Sequence, residues 1–393
     1  MNSIGFLAVD NMGSQNGRAG GECPRLHPEL VTRVKPLVVL VGPTAIGKSR
    51  IAIPVAKAMG TEILTADSTQ VYRGMDIGTD KPSLADREAV PHWLIDLVNP
   101  DEPFNAGTYR RYALQVIERL HRTGKVPLIV GGTGLYIRAV IRGLWPGPPV
   151  DWSLRRALEA EAEERGLAAM YHELLRVDPQ AVQRVHPHDR VKILRALEVY
   201  RQTGTPLSVA HQRHGFQDRP FTPLLLGLMM ERSALYRRIE ARVDVELAKG
   251  LVEETRRLLQ SGYDRNLVSM KSLGYRQMAG FVLGEYSFEE AVRRLKRDTR
   301  RFAKRQMTWF RKEPDLVWIE LQEHDAEEEV VERIMAHVNR FFHWLSGSEI
   351  RPLPQDDKSR SHEENAGRTE ELGQGQRTSC HPVTSMAQEG GNA

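Results

Sequence analysis

The chemistry-bearing residues with the clearest spacing form one glycine-rich octapeptide in the first part of the chain. It matches the pattern G-x-x-x-x-G-K-[ST] and lies between an apolar run at residues 36–41 and a helical pattern at residues 50–59. In that context, backbone N–H groups at a helix N-terminus surround a di- or triphosphate, the lysine adds a positive charge, and the hydroxyl can bind Mg²⁺. The sequence therefore predicts a phosphate-binding loop, the P-loop, formed by Gly42, Pro43, Thr44, Ala45, Ile46, Gly47, Lys48 and Ser49.

A carboxylate follows at the end of the next predicted strand. Asp67 comes directly after residues 62–66, at the edge of an open α/β sheet where ligands bind. Two interpretations stay open, because this carboxylate could hold Mg²⁺ or cap a helix, or it could take part in catalysis. The N-K-x-D pattern of GTPases is absent, and residues 94–97 are the nearest approach to the acidic strand end of motor-type ATPases. Neither nucleotide-hydrolysing class fits the chain well.

Apolar β-like segments alternate with helical ones along the chain, which predicts a parallel sheet with helices on both faces. Strands are expected at residues 38–41, 62–66, 92–97, 127–130 and 223–229. Helical patterns at residues 154–175 and 190–200 predict an insertion, and those at 233–259 and 288–311 should pack back on the sheet. The fold class is thus α/β, a P-loop NTPase-like parallel sheet flanked by helices, with an inserted all-helical subdomain.

The same patterns set the expected domain bounds. Residues 1–34 and 347–393 are expected to be polar, disordered ends. Residues 35–150 and 223–346 are the two parts of the P-loop core, and residues 151–222 are the helical insertion.

The composition limits which cellular compartment and which kinds of partner suit this protein. The net charge is +4 with a sequence pI near 9.0, and the basic residues concentrate late in the chain. The two cysteines, Cys23 and Cys380, lie in the low-complexity ends, which argues against a disulfide framework or a zinc site. No apolar run approaches the roughly 20 residues of a membrane span, and residues 1–35 lack a signal-peptide or transit-peptide pattern. We expect a cytoplasmic protein without membrane contact.

One late helical segment carries a regular pattern of cations. Arg293, Arg297, Arg300, Lys304 and Arg311 follow spacings of three, four and seven, which places them on one helix face. Such a stripe suits a nucleic-acid backbone. A generic basic helix is more often a solvated charged face, so spacing alone leaves both interpretations open.

Six ordered blocks of the chain resemble the tRNA dimethylallyltransferases, across residues 36–312. They are the P-loop, D-S-T-Q-V-Y-R-G-M-D-I-G-T at residues 67–79, G-G-T-G-L-Y at 131–136, R-A-L-E-V at 195–199, G-Y-R-Q at 274–277 and T-R-R-F-A-K-R-Q at 299–306. The resemblance implies transfer of a dimethylallyl group from dimethylallyl diphosphate to the exocyclic amine of the adenosine 3′ to the anticodon. The expected substrates are tRNAs that read codons beginning with U, bound through the anticodon stem-loop, with Mg²⁺ as cofactor. Eukaryotic relatives often carry a C-terminal zinc finger, for which this chain has too few cysteines, so a bacterial-type enzyme is implied. We expect a monomer.

The same resemblance assigns roles residue by residue. Asp67 matches the general base, while Thr44, Lys48 and Arg232 match catalytic positions on the diphosphate side and Ser49 matches the Mg²⁺ ligand. An ionised carboxylate suits the first role, because the adenine amine is a poor nucleophile that loses a proton on alkylation. The residues matched to tRNA contact are Asp67, Ser68, Thr69, Gln70, Thr133, Arg155, Val191, Lys192, Ile193, Leu194, Arg195, Ser272, Leu273, Gly274, Tyr275, Arg276, Gln277, Thr299, Arg300, Arg301, Phe302, Ala303, Lys304, Arg305 and Gln306.

Other features favour plainer interpretations. His186 and His188 lie on either side of a proline and indicate a loop before a capped helix rather than a metal site. Pro54 should kink the helix that follows the P-loop. The alternatives to a tRNA prenyltransferase are a small-molecule P-loop kinase, with the basic helix as a lid over the phosphates, and a non-enzymatic RNA-binding ATPase. A transferase should bind ATP only as a weak occupant of the diphosphate site.

Overall fold

The computed structural model describes residues 26–215 and 218–347. The strands of this part of the chain, numbered in chain order, are β1 (Pro36–Val41), β2 (Ile63–Ala66), β3 (His92–Trp93), β4 (Leu128–Gly131), β5 (Thr222–Met230) and β6 (Leu316–Leu321). They form one sheet in the order β3-β2-β4-β1-β5-β6, and every pairing is parallel. The predicted parallel α/β sheet is confirmed.

Helices cover both faces of this sheet. They are α1 (Pro28–Val34), α2 (Lys48–Met59), α3 (Leu84–Ala89), α4 (Ala106–Arg122), α5 (Gly134–Arg142), α6 (Trp152–Glu164), α7 (Leu167–Val177), α8 (Arg190–Thr203), α9 (Leu207–His214), α10 (Arg232–Ala248), α11 (Leu251–Gln260), α12 (Tyr275–Val282), α13 (Phe288–Phe310) and α14 (Glu327–Leu345).

The central strand explains where a ligand can bind. β1 reads P-L-V-V-L-V and every residue of it is buried, as expected for a parallel strand covered on both faces. The chain leaves β1 toward β2 on one side, whereas β5 pairs with β1 on the other side. The loop after β1 therefore lies where the strand order reverses, which is the ligand-binding crevice of open α/β sheets.

In the described part of the chain, four groups of buried apolar side chains hold the layers together. The first lies between the sheet and helices α2, α10 and α14, and the second lies between the other face of the sheet and helices α4 and α5. The third joins helices α10 to α13 to the segment after β2. The fourth belongs to the helical insertion and contains only side chains of residues 154–207, so the insertion has a small core of its own.

Several elements differ from the prediction. The strand expected at residues 92–97 is only two residues long, because Leu94 and Asp96 adopt positive φ angles of 70° and 55° that end the extended backbone. The helix expected at residues 154–175 is divided into α6 and α7 at Gly166. The segment 233–259 is likewise divided into α10 and α11 at Gly250. Pro54 lies within α2, which continues through it without a break.

The ends of the chain and of the sheet also depart from expectation. The final strand β6 and helix α14 were not predicted, although both pack on the core. Within the segment expected to be disordered at residues 1–34, residues 28–34 form helix α1. The remaining prediction of disorder, for residues 1–25 and 348–393, lies outside the described residues.

Candidate active site

A cleft lies at the carboxyl ends of the central strands, between the sheet and helices α10 and α13. The loops after β1, β2 and β4 form one side of it, and the segment before α12 reaches it from the other side. The predicted site residues that line it are Thr44, Lys48, Ser49, Asp67, Ser68, Thr69, Gln70, Thr133, Ser272, Leu273, Gly274, Arg276, Thr299, Phe302, Arg305 and Gln306. Segments that are far apart in the sequence thus meet at one place.

The P-loop has the backbone that its sequence requires. Gly47 adopts a φ of 103° immediately before α2 begins, a conformation that favours glycine. Gly42 lies against β5, where an added Cβ would be 3.0 Å from the carbonyl oxygen of Leu228. The loop therefore directs the N-terminus of α2, with its unpaired N–H groups, into the cleft.

Lys48 is the cation of this loop. Its Nζ donates a hydrogen bond to the carbonyl oxygen of Pro43 at 2.8 Å. Burial lowers the pKa of Lys48 to about 8, although Asp67 nearby opposes that shift. An anion in the cleft would add a second charge, beside that of Asp67, that favours the protonated form of this half-buried side chain.

An arginine that the sequence analysis did not identify completes the positive side of the cleft. Arg242, on α10, donates from Nη1 to the Thr44 hydroxyl at 2.8 Å. It also pairs with Glu246 at 2.6 Å and with Asp80 at 3.5 Å. Burial raises the pKa of Glu246, against the effect of the Arg242 charge. Arg242 is thus fixed by acidic neighbours at the point where the P-loop meets α10.

Arg232, which the resemblance matched to a catalytic position, has a different surrounding. It is the first residue of α10 and its Nε donates to the Tyr236 hydroxyl at 3.0 Å. It does not contribute to the lining of the cleft, among the residues that the structure describes. Arg242 lies ten positions later on the same helix and contacts the P-loop directly, so we assign the diphosphate-side role to Arg242 as a proposal.

Asp67 is held by its own turn. Oδ1 accepts from the Thr69 amide at 2.8 Å and from the Thr69 hydroxyl at 2.6 Å. Within the described ranges no hydrogen bond ends on Oδ2, so this oxygen keeps its capacity to accept a proton. The amide of the next residue, Ser68, donates to the Thr133 hydroxyl at 3.0 Å. The turn that carries Asp67 is therefore fastened to the loop after β4.

The segment that follows Asp67 is fixed from within the protein. Gln70, predicted to contact tRNA, is buried and donates to the carbonyl oxygens of Thr79 and Asp80 at 2.9 and 3.0 Å. Glu254, on α11, accepts hydrogen bonds from the backbone amides of residues 76–78. The Tyr275 hydroxyl donates to this same carboxylate at 2.5 Å.

The block expected to contact tRNA around α12 therefore divides into two groups. Tyr275 and Gln277 are buried, and burial raises the pKa of the Tyr275 hydroxyl. Gln277 accepts from the Gly274 amide and donates to Asp298. Their side chains are used to hold the fold, whereas Ser272 and Arg276 reach the cleft.

Helix α13 divides its residues in the same way. Arg301, Lys304 and Arg305 are exposed, and the Arg305 guanidinium lies 5.7 Å from the centre of the Phe302 ring. Arg300 instead pairs with Glu240 of α10 at 2.5 Å. Ala303 is fully buried. The outward basic face thus differs from the predicted stripe by having Arg301 and Arg305 in place of Arg300.

The predicted tRNA residues of the helical insertion lie outside the cleft. Arg155 and Arg195 both pair with the carboxylate of Glu198, at 3.3 and 3.1 Å, while Ile193 and Leu194 are buried in the core of the insertion. Val191 is exposed. Lys192, also exposed, pairs with Asp189, the cap of α8.

The donors available for a divalent cation lie beside the P-loop. Ser49 and Asp67 line the cleft and also a smaller cavity beneath it. The described residues contain no group of three or more His, Cys, Asp and Glu side chains able to hold a metal by themselves. This donor set fits Mg²⁺, which is commonly held by one or two protein oxygens together with substrate phosphates and waters. Among the described helices, none has the length and apolar character needed to cross a membrane.

The fold and the cleft define a class. A parallel sheet with a P-loop at its switch point, a carboxylate at the next strand end and an arginine from a following helix make an α/β enzyme for a phosphorylated substrate.

Comparison with known proteins identifies the family within this class. The sequence model of the family described as IPP transferase matches residues 70–313. Two similar proteins are tRNA dimethylallyltransferase 2 of Geotalea uraniireducens, 48% identical over 306 residues, and tRNA dimethylallyltransferase of Geobacter metallireducens, 50% identical over 284 residues. The matches cover 78% and 72% of this chain and 97% and 92% of those proteins. The chain therefore belongs to the IPP transferase family, whose named relatives are tRNA dimethylallyltransferases, and is an enzyme of the prenyltransferase class.

Solved structures agree with this fold. The tRNA isopentenylpyrophosphate transferase of Bacillus halodurans is 36% identical and matches with a TM-score of 0.59, covering 79% of this chain and 99% of that one. A eukaryotic dimethylallyltransferase crystallised while acting on tRNA is 24% identical, with a TM-score of 0.67 over 82% of this chain and 81% of that one. The latter is a likeness of fold alone.

Proposed function

We propose that this protein transfers the dimethylallyl group of dimethylallyl diphosphate to the exocyclic amine of the adenosine 3′ to the anticodon, releasing diphosphate. The substrates are tRNAs that read codons beginning with U. The observation that carries the proposal is the shared cleft, in which the P-loop cation Lys48 and the carboxylate Asp67 face side chains of the basic helix α13. A diphosphate site, a base and an RNA-facing surface thus occupy one cavity.

The positive side of the cleft suits a diphosphate leaving group. The amine nitrogen attacks the allylic carbon, and the bond between that carbon and the diphosphate oxygen breaks with its electron pair going to the diphosphate. Negative charge therefore grows on the diphosphate during the reaction. Lys48, Arg242 and the N–H groups at the start of α2 stabilise this charge more in the transition state than in the ground state.

The other side of the cleft suits proton removal. The attacked amine becomes positively charged on alkylation and must lose a proton. Thr69 holds Oδ1 of Asp67, and no donor in the described part of the chain bonds Oδ2, so the carboxylate is oriented and still able to accept that proton. An adenine stacked in a loop could not reach this carboxylate, so the nucleotide is extruded into the cleft.

Mg²⁺ is the cofactor that we propose, held by Ser49 and by oxygens of the bound diphosphate, with Asp67 close by. When bound, it would add positive charge beside the departing diphosphate. The side chains that would act with it on the diphosphate are Lys48 and Arg242.

We place the tRNA partner on two surfaces. Lys304 and Arg305 line a groove beside the cleft on α13, and Arg155 and Arg195 lie on the insertion. Cations at these positions suit the phosphates of an anticodon stem-loop. We also propose that the enzyme acts as a monomer, and we place it in the cytoplasm.

The direct test supplies dimethylallyl diphosphate, Mg²⁺ and unmodified tRNA to the purified protein and detects prenylated adenosine by nucleoside mass spectrometry. The matched variant is Asp67→Asn, since an asparagine oxygen can still accept from Thr69 but cannot act as a base. We expect its turnover to fall roughly 10²- to 10⁴-fold with diphosphate affinity kept. Absence of prenylated adenosine with wild-type protein, or ATP-dependent phosphorylation of a small molecule, would refute the proposal.

A further inference from the structure

Gln306 lies in the block of α13 that the resemblance matched to tRNA contact, yet its side chain is buried and both of its ends are used inside the protein. Oε1 accepts from the Thr44 amide of the P-loop at 2.8 Å. Nε2 donates to the Gly132 carbonyl oxygen in the loop after β4 at 3.0 Å. The orientation of the amide is dictated by its partners, because an N–H can only donate and a carbonyl oxygen can only accept.

The two loops that Gln306 joins carry opposite parts of the proposed chemistry. Thr44 belongs to the diphosphate site, and its hydroxyl also accepts from Arg242. Gly132 precedes Thr133, whose hydroxyl accepts from the Ser68 amide directly after Asp67. A chain of contacts therefore runs from the diphosphate site through Gln306 to the turn that holds the base.

The packing around Gly132 shows how close this link is. A Cβ added at Gly132 would clash with Nε2 of Gln306, and the Gly42 carbonyl oxygen of the P-loop would be 3.6 Å from it. The absence of a side chain at residue 132 is therefore what lets the amide of Gln306 reach between the loops.

We propose that Gln306 is a positioning residue that sets the spacing between the diphosphate site and Asp67, a role that rests on the proposed function. Leaving group, attacked carbon and base must be aligned, and a displacement of about 1 Å can cost roughly 10²-fold in rate. Only an uncharged amide of this length both accepts from Thr44 and donates to Gly132. A glutamate would keep the first hydrogen bond and place a carboxylate against the Gly132 carbonyl oxygen.

The first test is Gln306→Met, which keeps much of the side-chain volume and removes both hydrogen bonds. We expect the single-turnover rate at saturating substrates to fall by about 10- to 100-fold, while the dissociation constants for anticodon stem-loop RNA and pyrophosphate change by less than about threefold, a change of roughly 0.7 kcal/mol. Gln306→Glu should lose at least as much rate. Gln260→Met makes the same chemical change at an exposed position of α11 and should leave all three quantities unchanged.

The second test needs no activity. Because Gln306 is the acceptor for the Thr44 amide, hydrogen exchange at that amide, followed by NMR with ¹⁵N-threonine labelling, should become at least about tenfold faster in Gln306→Met. A rate measurement adds a third test. Gly132→Ala should displace the side-chain amide of Gln306, because the added Cβ clashes with Nε2. The double variant Gly132→Ala, Gln306→Met should therefore lose no more single-turnover rate than the more impaired of the two single variants.

Three results would overturn the proposal: a wild-type single-turnover rate in Gln306→Met, a loss confined to RNA affinity, or unchanged exchange of the Thr44 amide. If wild-type protein prenylated no tRNA but the exchange result held, the proposed function would fail while the link itself stood.

Discussion

Arg242 is bound to the P-loop through the Thr44 hydroxyl and is fixed on its other side by Glu246 and Asp80. A guanidinium held in this way needs little rearrangement to stabilise charge on a departing diphosphate. We therefore expect Arg242→Met to lower the single-turnover rate roughly 10²- to 10³-fold. Arg232→Met is the matched control on the same helix, and its rate should stay within about twofold of wild type. A larger loss of rate in Arg232→Met than in Arg242→Met would show that Arg232 stabilises the departing diphosphate instead.

The half-buried ammonium of Lys48 should make pyrophosphate binding depend on pH. Its pKa is lowered to about 8 by burial, so in the free protein the cation is present below about pH 8 and is lost as the pH rises through that value. A bound diphosphate favours the charged form and raises the pKa again. Pyrophosphate binding should therefore take up a proton near pH 8 and weaken above it.

Calorimetry checks this in two buffers of different ionisation enthalpy, at pH 7 and pH 8.5. Pyrophosphate titrates in the same range, so the informative quantity is the difference between wild type and Lys48→Met. The variant should bind more weakly at pH 7 and should lack the additional proton uptake. Equal proton uptake by the two proteins would show that Lys48 is not the titrating group.

The contrast between Asp67 and Arg242 shows what the sequence could specify about single residues. Asp67 was found because it directly follows an apolar strand, so its position at the sheet edge depends on local sequence alone. Arg242 is one of several arginines on α10, and which of them reaches the P-loop depends on how that helix packs. Its spacing of three from Ile239, a buried residue of the same helix, was the available signal, but the apolar pattern does not say what lies opposite.

Helix α13 presents cations on the face that its amphipathic pattern leaves exposed. Arg300 is paired with Glu240, whereas Lys304 and Arg305 line the groove beside the cleft. We expect the double variant Lys304→Ala, Arg305→Ala to reduce the slope of log affinity for stem-loop RNA against log salt by up to roughly one unit for each cation that binds a phosphate. Arg300→Ala should change that slope much less. A titration of fluorescent RNA at several salt concentrations measures both, and a wild-type slope in the double variant would remove α13 from the interface.

In the helical insertion, a substitution of Glu198 separates two explanations of its role, because they predict opposite changes in RNA affinity. Glu198 is buried and holds Arg155 and Arg195 together. Removing a negative charge from an RNA-binding surface should strengthen binding if only long-range electrostatics matters. If Glu198 positions the two arginines, Glu198→Gln should weaken binding and reduce the salt slope by up to roughly two units, about one for each arginine.

The control for this prediction is Glu164→Gln, the same change at an exposed residue of the neighbouring helix α6. Glu159, on the same helix, is unsuitable because it pairs with Arg155 at 3.9 Å. The control variant should leave RNA affinity unchanged or slightly increase it. Stronger binding by Glu198→Gln, with an unchanged melting temperature, would show that the arginines do not depend on the buried carboxylate.

The sequence pattern predicted the strands whose periodicity is clear and missed the strand and the helix boundaries that depend on their surroundings in the fold. The buried strands β1, β4 and β5 read as continuous apolar runs. β6 carries an exposed glutamate and lies at the edge of the sheet, so its pattern is weak, and its pairing with β5 becomes visible only in the fold. Two of the missed helix boundaries had a local signal in the sequence, namely a glycine at each. Gly166 and Gly250 adopt positive φ angles, which glycine tolerates at helix ends.

The whole molecule joins a P-loop core to an insertion that leaves and rejoins it at nearly the same point. A Cβ added at Gly143, after α5, would lie 2.8 Å from the Cβ of Asp218. Arg110 of α4 ties the two ends, donating to the Ala139 carbonyl oxygen at 2.9 Å and to Asp218 at 2.6 Å. Because the insertion also has its own apolar core, the parallel sheet should not need it in order to fold.

This arrangement predicts that residues 144–217 can be replaced by a short Gly-Ser linker. The shortened protein should unfold cooperatively and bind pyrophosphate within about threefold of wild type, a difference of roughly 0.7 kcal/mol, since the P-loop, Lys48 and Arg242 all lie in the core. Its affinity for stem-loop RNA should fall, and the salt slope should fall by up to roughly two units if Arg155 and Arg195 each bind a phosphate in the complete protein. Thermal melting, calorimetry with pyrophosphate and RNA titration on the same preparation separate these effects. Loss of cooperative unfolding would show that the insertion supports the core, and wild-type RNA affinity would show that α13 and the cleft are sufficient for tRNA binding.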